Sequence, residues 1–198
     1  MSEQYFTASP SAKHDEQEVI FESFGFRFSC TTDAGVFCRD GLDMGSRILL
    51  ETIGREENAP GRILDLGCGW GPVGIALAKR FPEAEVVFTD VNERATALTK
   101  RNLRANGITK AQVVTGDGFE NVSGSFDLIA LNPPIRAGKA LIYQLFADCG
   151  KHLSPVGALY IVIRKQQGAE SALKYLKEIF SEAERIERDK GYWVIRAK

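Results

Sequence analysis

Two groups of residues far apart in this chain have the types and spacing to do chemistry: Asp65-Leu66-Gly67-Cys68-Gly69-Trp70-Gly71 and Asn132-Pro133-Pro134-Ile135. Gly67, Gly69 and Gly71 follow a short apolar run and open an amphipathic one. Their missing side chains let backbone amides approach a ligand and let the turn adopt positive φ. Asp90 ends the next apolar run, where a carboxylate accepts hydrogen bonds from both hydroxyls of a ribose. Gly116-Asp117-Gly118 follows the third run and offers an acidic position suited to an adenine amino group. Asp65 and Asp117 taken singly also suit helix or turn caps. As a set at successive strand ends, the three carboxylates point to a nucleotide-type cofactor.

Gly69-Trp70-Gly71-Pro72-Val73-Gly74 also satisfies the GxGxxG string of dinucleotide binders, so a nicotinamide-dependent oxidoreductase is a competing reading. Asp65 argues against it. A carboxylate just before the glycines repels a pyrophosphate but suits a cationic or amino group. S-adenosylmethionine, with its α-ammonium and sulfonium charges, fits this acidic edge.

Asn132-Pro133-Pro134-Ile135 follows the apolar run Phe126–Leu131 and so lies at the carboxyl end of a strand, where open α/β sheets place ligands. The exocyclic amine of a base, or an amide, is a poor nucleophile because its lone pair is delocalised. The Asn132 side-chain oxygen and the Pro133 carbonyl form an acceptor pair that holds the two hydrogens and aims that lone pair. The prolines stiffen the strip and donate no competing N–H. Positioning and electrostatics, rather than a strong base, then supply the rate. Asn-Pro-Pro is also an ordinary strand terminator. Arg136 and Lys139 flank the motif and suit RNA phosphates. Lys100, Arg101, Arg104 and Lys110 read as a solvated helix face. His14 and His152 have no partner visible in sequence, and Trp193, in an alternating terminal strand, reads as core.

The elements that must position these residues alternate in type. Val19-Ile20-Phe21 and Phe24–Phe28 suit a hairpin, and Asp43–Arg55 a helix with Met44, Ile48, Leu49, Thr52 and Ile53 on one face. Asp43 suits either the N-cap of that helix or a seat for the cofactor's ammonium group. Strands are expected at 63–66, 86–90, 111–115, 126–131 and 158–163, and helices at 73–81, 92–106, 140–153 and 169–180. This alternation predicts an α/β fold with a Rossmann-like, doubly wound, mostly parallel sheet. Runs at 183–188 and 192–197, joined by Lys190-Gly191, predict a C-terminal antiparallel hairpin. The expected organisation is one domain over 1–198, with a small N-terminal β/α extension (1–42) carrying the first hairpin and a Rossmann-like core (43–198).

With 198 residues, 44% hydrophobic and 26% charged, the chain is long enough for one buried core, and its formal net charge of −1 argues against bulk electrostatic gripping of nucleic acid. No DNA partner is expected, and an RNA partner must meet a local basic patch. Cys30, Cys38, Cys68 and Cys149 are too widely spaced for a zinc cluster, so no metal is expected and free thiols in a reducing cytosol follow. Neither a signal pattern nor a run near the roughly 20 apolar residues of a membrane span is present. The expected location is cytoplasmic, with no membrane partner.

From about Asp43 onward these residues resemble the class I S-adenosylmethionine-dependent methyltransferases, in particular the amino-methylating group with an Asn-Pro-Pro motif. A closer resemblance covers nearly the whole chain. Tyr5-Phe6-Thr7 with Pro10, Thr32–Phe37, Asp43-Met44-Gly45-Ser46 and Asn132–Lys139 are similar to the catalytic half of the ribosomal RNA small-subunit methyltransferase C family. That resemblance implies methylation of the exocyclic amine of a guanine, with ribosomal RNA or the small ribosomal subunit as partner. It implies that Asp65, Gly67 and Gly69 contact the methionine part of the cofactor, Asp90 the ribose, Asp117 the adenine and Asn132 the acceptor amine. Amino-methyltransferases of this type usually carry an aromatic residue where this chain has Ile135, so base stacking is expected from elsewhere, with Phe37 the candidate. Pro134, Ile135, Arg136, Lys139 and Phe37 are the expected substrate contacts. The same geometry serves a protein glutamine amide or an adenine or cytosine amine. A cofactor-binding module that assembles on ribosomal particles without chemistry is a further alternative.

Overall fold

The computed structural model describes residues 8–198, so Tyr5-Phe6-Thr7 lie outside the described residues. An antiparallel hairpin comes first, β1 (Gln17–Ser23) and β2 (Phe26–Thr32), followed by α1 (Met44–Glu56). The hairpin turn is Phe24-Gly25, at φ 53° and 78°, the sign that tight two-residue turns favour. Phe24 therefore leaves the strand in which the sequence places it. Its ring packs on Gly54 of α1, where an added Cβ would stand 2.3 Å from Phe24 Cε1. β2 runs on past Phe28 because Cys30 and Thr32 continue the same inward alternation. In α1, Ile48, Leu49, Leu50 and Ile53 are buried. Met44, expected on that face, sits at the helix's first position and is 37% exposed.

The main sheet contains β3 (Arg62–Leu66), β4 (Glu85–Asp90), β5 (Ala111–Thr115), β6 (Phe126–Leu131), β7 (Leu153–Arg164), β8 (Ala183–Asp189) and β9 (Tyr192–Ala197). Its order is β5-β4-β3-β6-β7-β9-β8, parallel from β5 to β7, with β9 antiparallel to both its neighbours. The remaining helices are α2 (Pro72–Arg80), α3 (Glu93–Ala105), α4 (Lys139–Lys151) and α5 (Ala169–Ile179). This is the Rossmann-like, mostly parallel sheet with a terminal antiparallel hairpin that the alternation predicts. β7 is longer than expected, because Leu153 already pairs with Phe126 before an irregularity in register.

Alternate residues of each central strand feed two separate cores. Ile63, Leu128, Ala130, Tyr160 and Val162 pack with α1, α2, α3 and the hairpin residues Val19, Phe21 and Phe28. Leu64, Leu66, Ile129, Leu131, Ile161 and Ile163 pack with Ile142, Phe146 and Cys149 of α4 and Ala172 and Leu176 of α5. Apolar side chains on both faces fix the central strands, so their carboxyl ends are held in register. The strand order reverses between β3 and β6, and at such a switch point the diverging connections leave a crevice at the carboxyl edge. Both chemistry-bearing motifs start there. Among the described residues, no helix is long and apolar enough to cross a membrane.

Candidate active site

Two adjoining cavities open at the switch point. The larger runs along the ends of β3 to β6 and is lined by Asp90, Asp117, Pro133 and Pro134, with Leu141 and Leu145 of α4 on its apolar side. The smaller is lined by Asp43, Ser46, Asp65 and Trp70. Phe37, Gly67, Gly69 and Asn132 wall both. The carboxylates are thus divided, Asp43 and Asp65 on one side of the glycines and Asp90 and Asp117 on the other.

The glycine turn differs from expectation in one respect. Gly67 and Gly69 take positive φ (70° and 57°), and a Cβ on either would meet nothing within 4 Å, so their backbone faces open space. Their amides are nonetheless engaged. Gly67 and Cys68 donate to the Thr89 carbonyl at 2.9 and 3.0 Å, Gly69 to Asp90 Oδ2 at 2.8 Å and Gly71 to the Cys68 carbonyl at 2.9 Å. The turn offers a ligand close approach and flanking carboxylates, rather than the free amides expected from the sequence. Gly71 lines neither cavity. It caps α2 at φ 90°, where a Cβ would stand 3.0 Å from Thr99 Cγ2.

Asp65 is 4% exposed, and its Oδ2 accepts the Gly74 amide in the first turn of α2 at 2.7 Å. Burial pushes this carboxyl up to about 7, with the Gly74 amide opposing and the Asp90 charge reinforcing the rise. Burial also raises Asp90, against the lowering effect of the Asn92, Gly69 and Val91 amides. The N-terminus of α2, where a dinucleotide pyrophosphate would dock, is therefore covered by a carboxylate and begins with Pro72, which has no N–H.

Asn132 is held from α1. Its Nδ2 donates to Ser46 Oγ at 3.1 Å and lies 3.4 and 3.5 Å from the Asp43 carboxylate oxygens, which accept only. These contacts orient the amide and leave Oδ1 without a donor among the described residues. The adjacent Pro133 carbonyl accepts no hydrogen bond among them either. Asp43 also caps α1, accepting from the Gly45 and Ser46 amides at 2.9 and 3.2 Å, which is the capping role the sequence offered, and it lines the smaller cavity as well.

Phe37 reaches the cavities from the loop after β2. Asn92 Nδ2 donates to the Gly35 carbonyl at 2.8 Å, and Arg94 donates to the carbonyls of Ala34 and Ala12 at 2.5 and 2.8 Å. Buried Asp33 lies 3.7 Å from Arg94 and is hydrogen-bonded to His14 Nδ1. The start of α3 thus braces the loop. Ile135 packs on the α4–α5 core, Arg136 is exposed in a short turn, and Lys139 is exposed with Nζ 4.9 Å above the Tyr143 ring. These three flank the cavities without lining them. Trp193 is buried, and His152 bonds the Asp148 carbonyl and stacks on Phe119, away from the cavities. Sequence reasoning missed Ser46, Asn92 and Arg94. The spacing of Asp43 and Ser46, one helical turn, is the signal that could have exposed the first.

Residues 27–196 match the methyltransferase small domain family. The chain is 42% identical over its whole length to the uncharacterized protein YbxB of Bacillus subtilis (strain 168), covering 99% of that protein. Over 84% of its length it is 37% identical to the ribosomal RNA large subunit methyltransferase G of Streptomyces avermitilis, of which it spans 44%. A solved structure, the T. thermophilus 16S rRNA N2 G1207 methyltransferase in complex with AdoMet and guanosine, matches 92% of this chain and 50% of its own with a TM-score of 0.83 and 25% identity. The chain therefore spans half or less of these two ribosomal RNA methyltransferases.

Proposed function

This chain belongs to the methyltransferase small-domain family, and from that premise we propose that it methylates the exocyclic N2 amine of a guanine in small-subunit ribosomal RNA, acting in the cytoplasm. S-adenosylmethionine is the methyl donor. The observation that carries this reading is the pair of unengaged acceptors, Asn132 Oδ1 and the Pro133 carbonyl, at the wall of the larger cavity. A likeness to a guanine-N2 methyltransferase supports the choice of base.

The division of carboxylates supports the orientation of the donor. Asp65, with Asp43 beside it, suits the α-ammonium group; Asp90 suits the ribose hydroxyls and Asp117 the adenine amine. The open faces of Gly67 and Gly69 admit the chain between them. The cofactor supplies an electrophilic methyl on sulfur; the amine nitrogen forms the new bond as the C–S bond breaks, and the nitrogen then sheds a proton to solvent. Asn132 and Pro133 hold the amine's hydrogens and direct its lone pair, Ser46 and Asp43 hold Asn132, and Phe37 takes the stacking role that Ile135, packed inward, does not. The carboxylate over the α2 N-terminus and the engaged glycine amides weigh against a nicotinamide dinucleotide.

Asn132→Ala tests the assignment. S-adenosylmethionine binding is retained while the methylation rate falls by on the order of a hundredfold; an unchanged rate would remove Asn132 from the site.

A further inference from the structure

Cations gather at the carboxyl edge of the sheet on the side of Asn132 away from Asp90 and Asp117. Leu131 pairs with Ile161, so Arg164 at the end of β7 and the following Lys165 lie just beyond the strand end that carries Asn132. Arg164 pairs in turn with Tyr192 of β9, and the Lys190-Gly191 turn closes at the same edge, where the Lys165 amide donates to the Gly191 carbonyl at 2.8 Å. Three cations from two connections therefore share this edge.

Their geometry is organised around Tyr192. Arg164 Nε donates to Tyr192 Oη at 2.7 Å, with the guanidinium 4.8 Å over the ring, which leaves Nη1 and Nη2 without an acceptor among the described residues. The Tyr192 ring packs on the first turn of α1. A Cβ on Gly45 would stand 2.9 Å from Tyr192 Cε1 and 3.0 Å from Asp43 Oδ1, the carboxylate that faces Asn132. Lys190 Nζ lies 3.6 Å from Met44 Sδ in that same turn. One aromatic ring and one helical turn thus connect the Arg164 fork to the acceptor residue.

Charge pairing differs between the two edges. At the amino edge, Arg62, Lys110 and Lys151 are each paired with a carboxylate, Glu85, Glu83 and Asp148. At the carboxyl edge, Arg136, Lys139, Arg164 and Lys190 have no ion pair among the described residues, while Lys165 is ion-paired with Glu170 at 3.5 Å. Asp189, at the end of β8, and Asp43, against the same Gly45 position as the Tyr192 ring, are further carboxylates near this edge. A pre-oriented guanidinium with two free nitrogens matches phosphate oxygens in bidentate fashion, and exposed ammonium groups add point charges beside it.

We propose that Arg164, Lys165 and Lys190, with Tyr192 orienting the arginine, form a phosphate-binding strip for a single RNA strand running past Asn132. Arg136 and Lys139 lie on its other flank. The strip rests on the reading of the substrate as RNA. It supplies locally the electrostatic hold that a chain of net charge −1 lacks in bulk.

The test compares Arg164→Gln and Lys190→Gln, singly and combined, with Lys110→Gln as a control of equal charge change at the opposite edge. KM for RNA in the double variant rises about tenfold, and the slope of log affinity against log salt flattens by about 0.7 per lost phosphate contact. Lys110→Gln matches the wild type, and all variants retain S-adenosylmethionine affinity. Wild-type KM and salt slope in the double variant, with RNA still methylated, would overturn the strip alone. Should Arg164→Gln fail to fold, Lys190→Gln, in an exposed turn, carries the same salt-slope test. Methyl transfer by the wild type to a protein amide and not to RNA would overturn the strip together with the substrate reading.

Discussion

Ser46 Oγ, in the first turn of α1, accepts the side-chain amide of Asn132 at 3.1 Å. This contact ties the helix after the N-terminal loop to the strand end at the switch point, and with Asp43 it decides which end of the Asn132 amide is free. A carboxylate and a hydroxyl on one side leave the carbonyl oxygen without a donor among the described residues, the end that the proposed function turns to a substrate N–H. The acceptor pair is therefore set before substrate arrives, which is the condition under which a hydrogen bond lowers a barrier without reorganisation.

Ser46→Ala removes the shorter of these tethers. The turnover number falls by about tenfold, with cofactor affinity retained, as expected when a reacting group is loosened rather than lost. Asn132→Asp is more severe, because it places a second carboxylate at the 3.4 to 3.5 Å now separating Nδ2 from Asp43. Single-turnover rates separate the two effects, and a Ser46→Ala enzyme at the wild-type rate would mean that the tether is dispensable.

Asp65 gives the site a pH dependence with a definite sign. Its carboxyl is raised from 3.8 to about 7 by burial, so the folded protein without ligand holds a proton there that the unfolded chain has lost. The stabilising contribution is full below the unfolded value and disappears as pH rises through 7. A cationic ammonium group pairs with the ionised form, so cofactor affinity climbs with pH up to about 7 and then levels. Asp65→Asn keeps an acceptor for the Gly74 amide and removes the buried charge. At pH 8 the ligand-free variant melts at or above the wild-type temperature while its cofactor affinity falls. Calorimetric titrations from pH 6 to 8 with melting curves check both; a pH-independent affinity would refute the pairing.

Gly69 and Gly74 separate function from folding within one motif. Gly69→Ala carries a strain of roughly 1 kcal/mol from its positive φ, but its Cβ meets open space at the wall of both cavities. The variant folds and binds cofactor poorly. Gly74→Ala would place Cβ 2.2 Å from Phe88 Cε1, so α2 and β4 must move apart at a cost of about 1 to 3 kcal/mol. Melting temperatures and cofactor titrations of the two distinguish these outcomes.

Much of this arrangement is legible in the sequence because it rests on periodicity. The apolar runs ending at Leu66, Asp90 and Leu131 become parallel strands with the two motifs at their carboxyl ends, and Tyr192–Ala197 becomes a strand with the predicted bounds. What the sequence hides depends on contacts between distant residues. Nothing local announces that the Gly69 amide is taken by Asp90, that Phe24 turns out of its strand to cover Gly54, or that half-buried Ile135 packs against the α4–α5 core. Arg94 carries no signal of its own in the sequence, yet it braces the loop carrying Phe37 through carbonyls far away in the chain.

The central claim, a guanine-N2 methyl transfer directed by Asn132, is tested most directly by incubating the protein with labelled S-adenosylmethionine and small ribosomal subunits or their RNA from cells lacking it, then resolving the nucleosides. The account predicts label in N2-methylguanosine, and its loss in Asn132→Ala. Label in another nucleoside or in protein glutamine, or no transfer despite measurable cofactor binding, would contradict it.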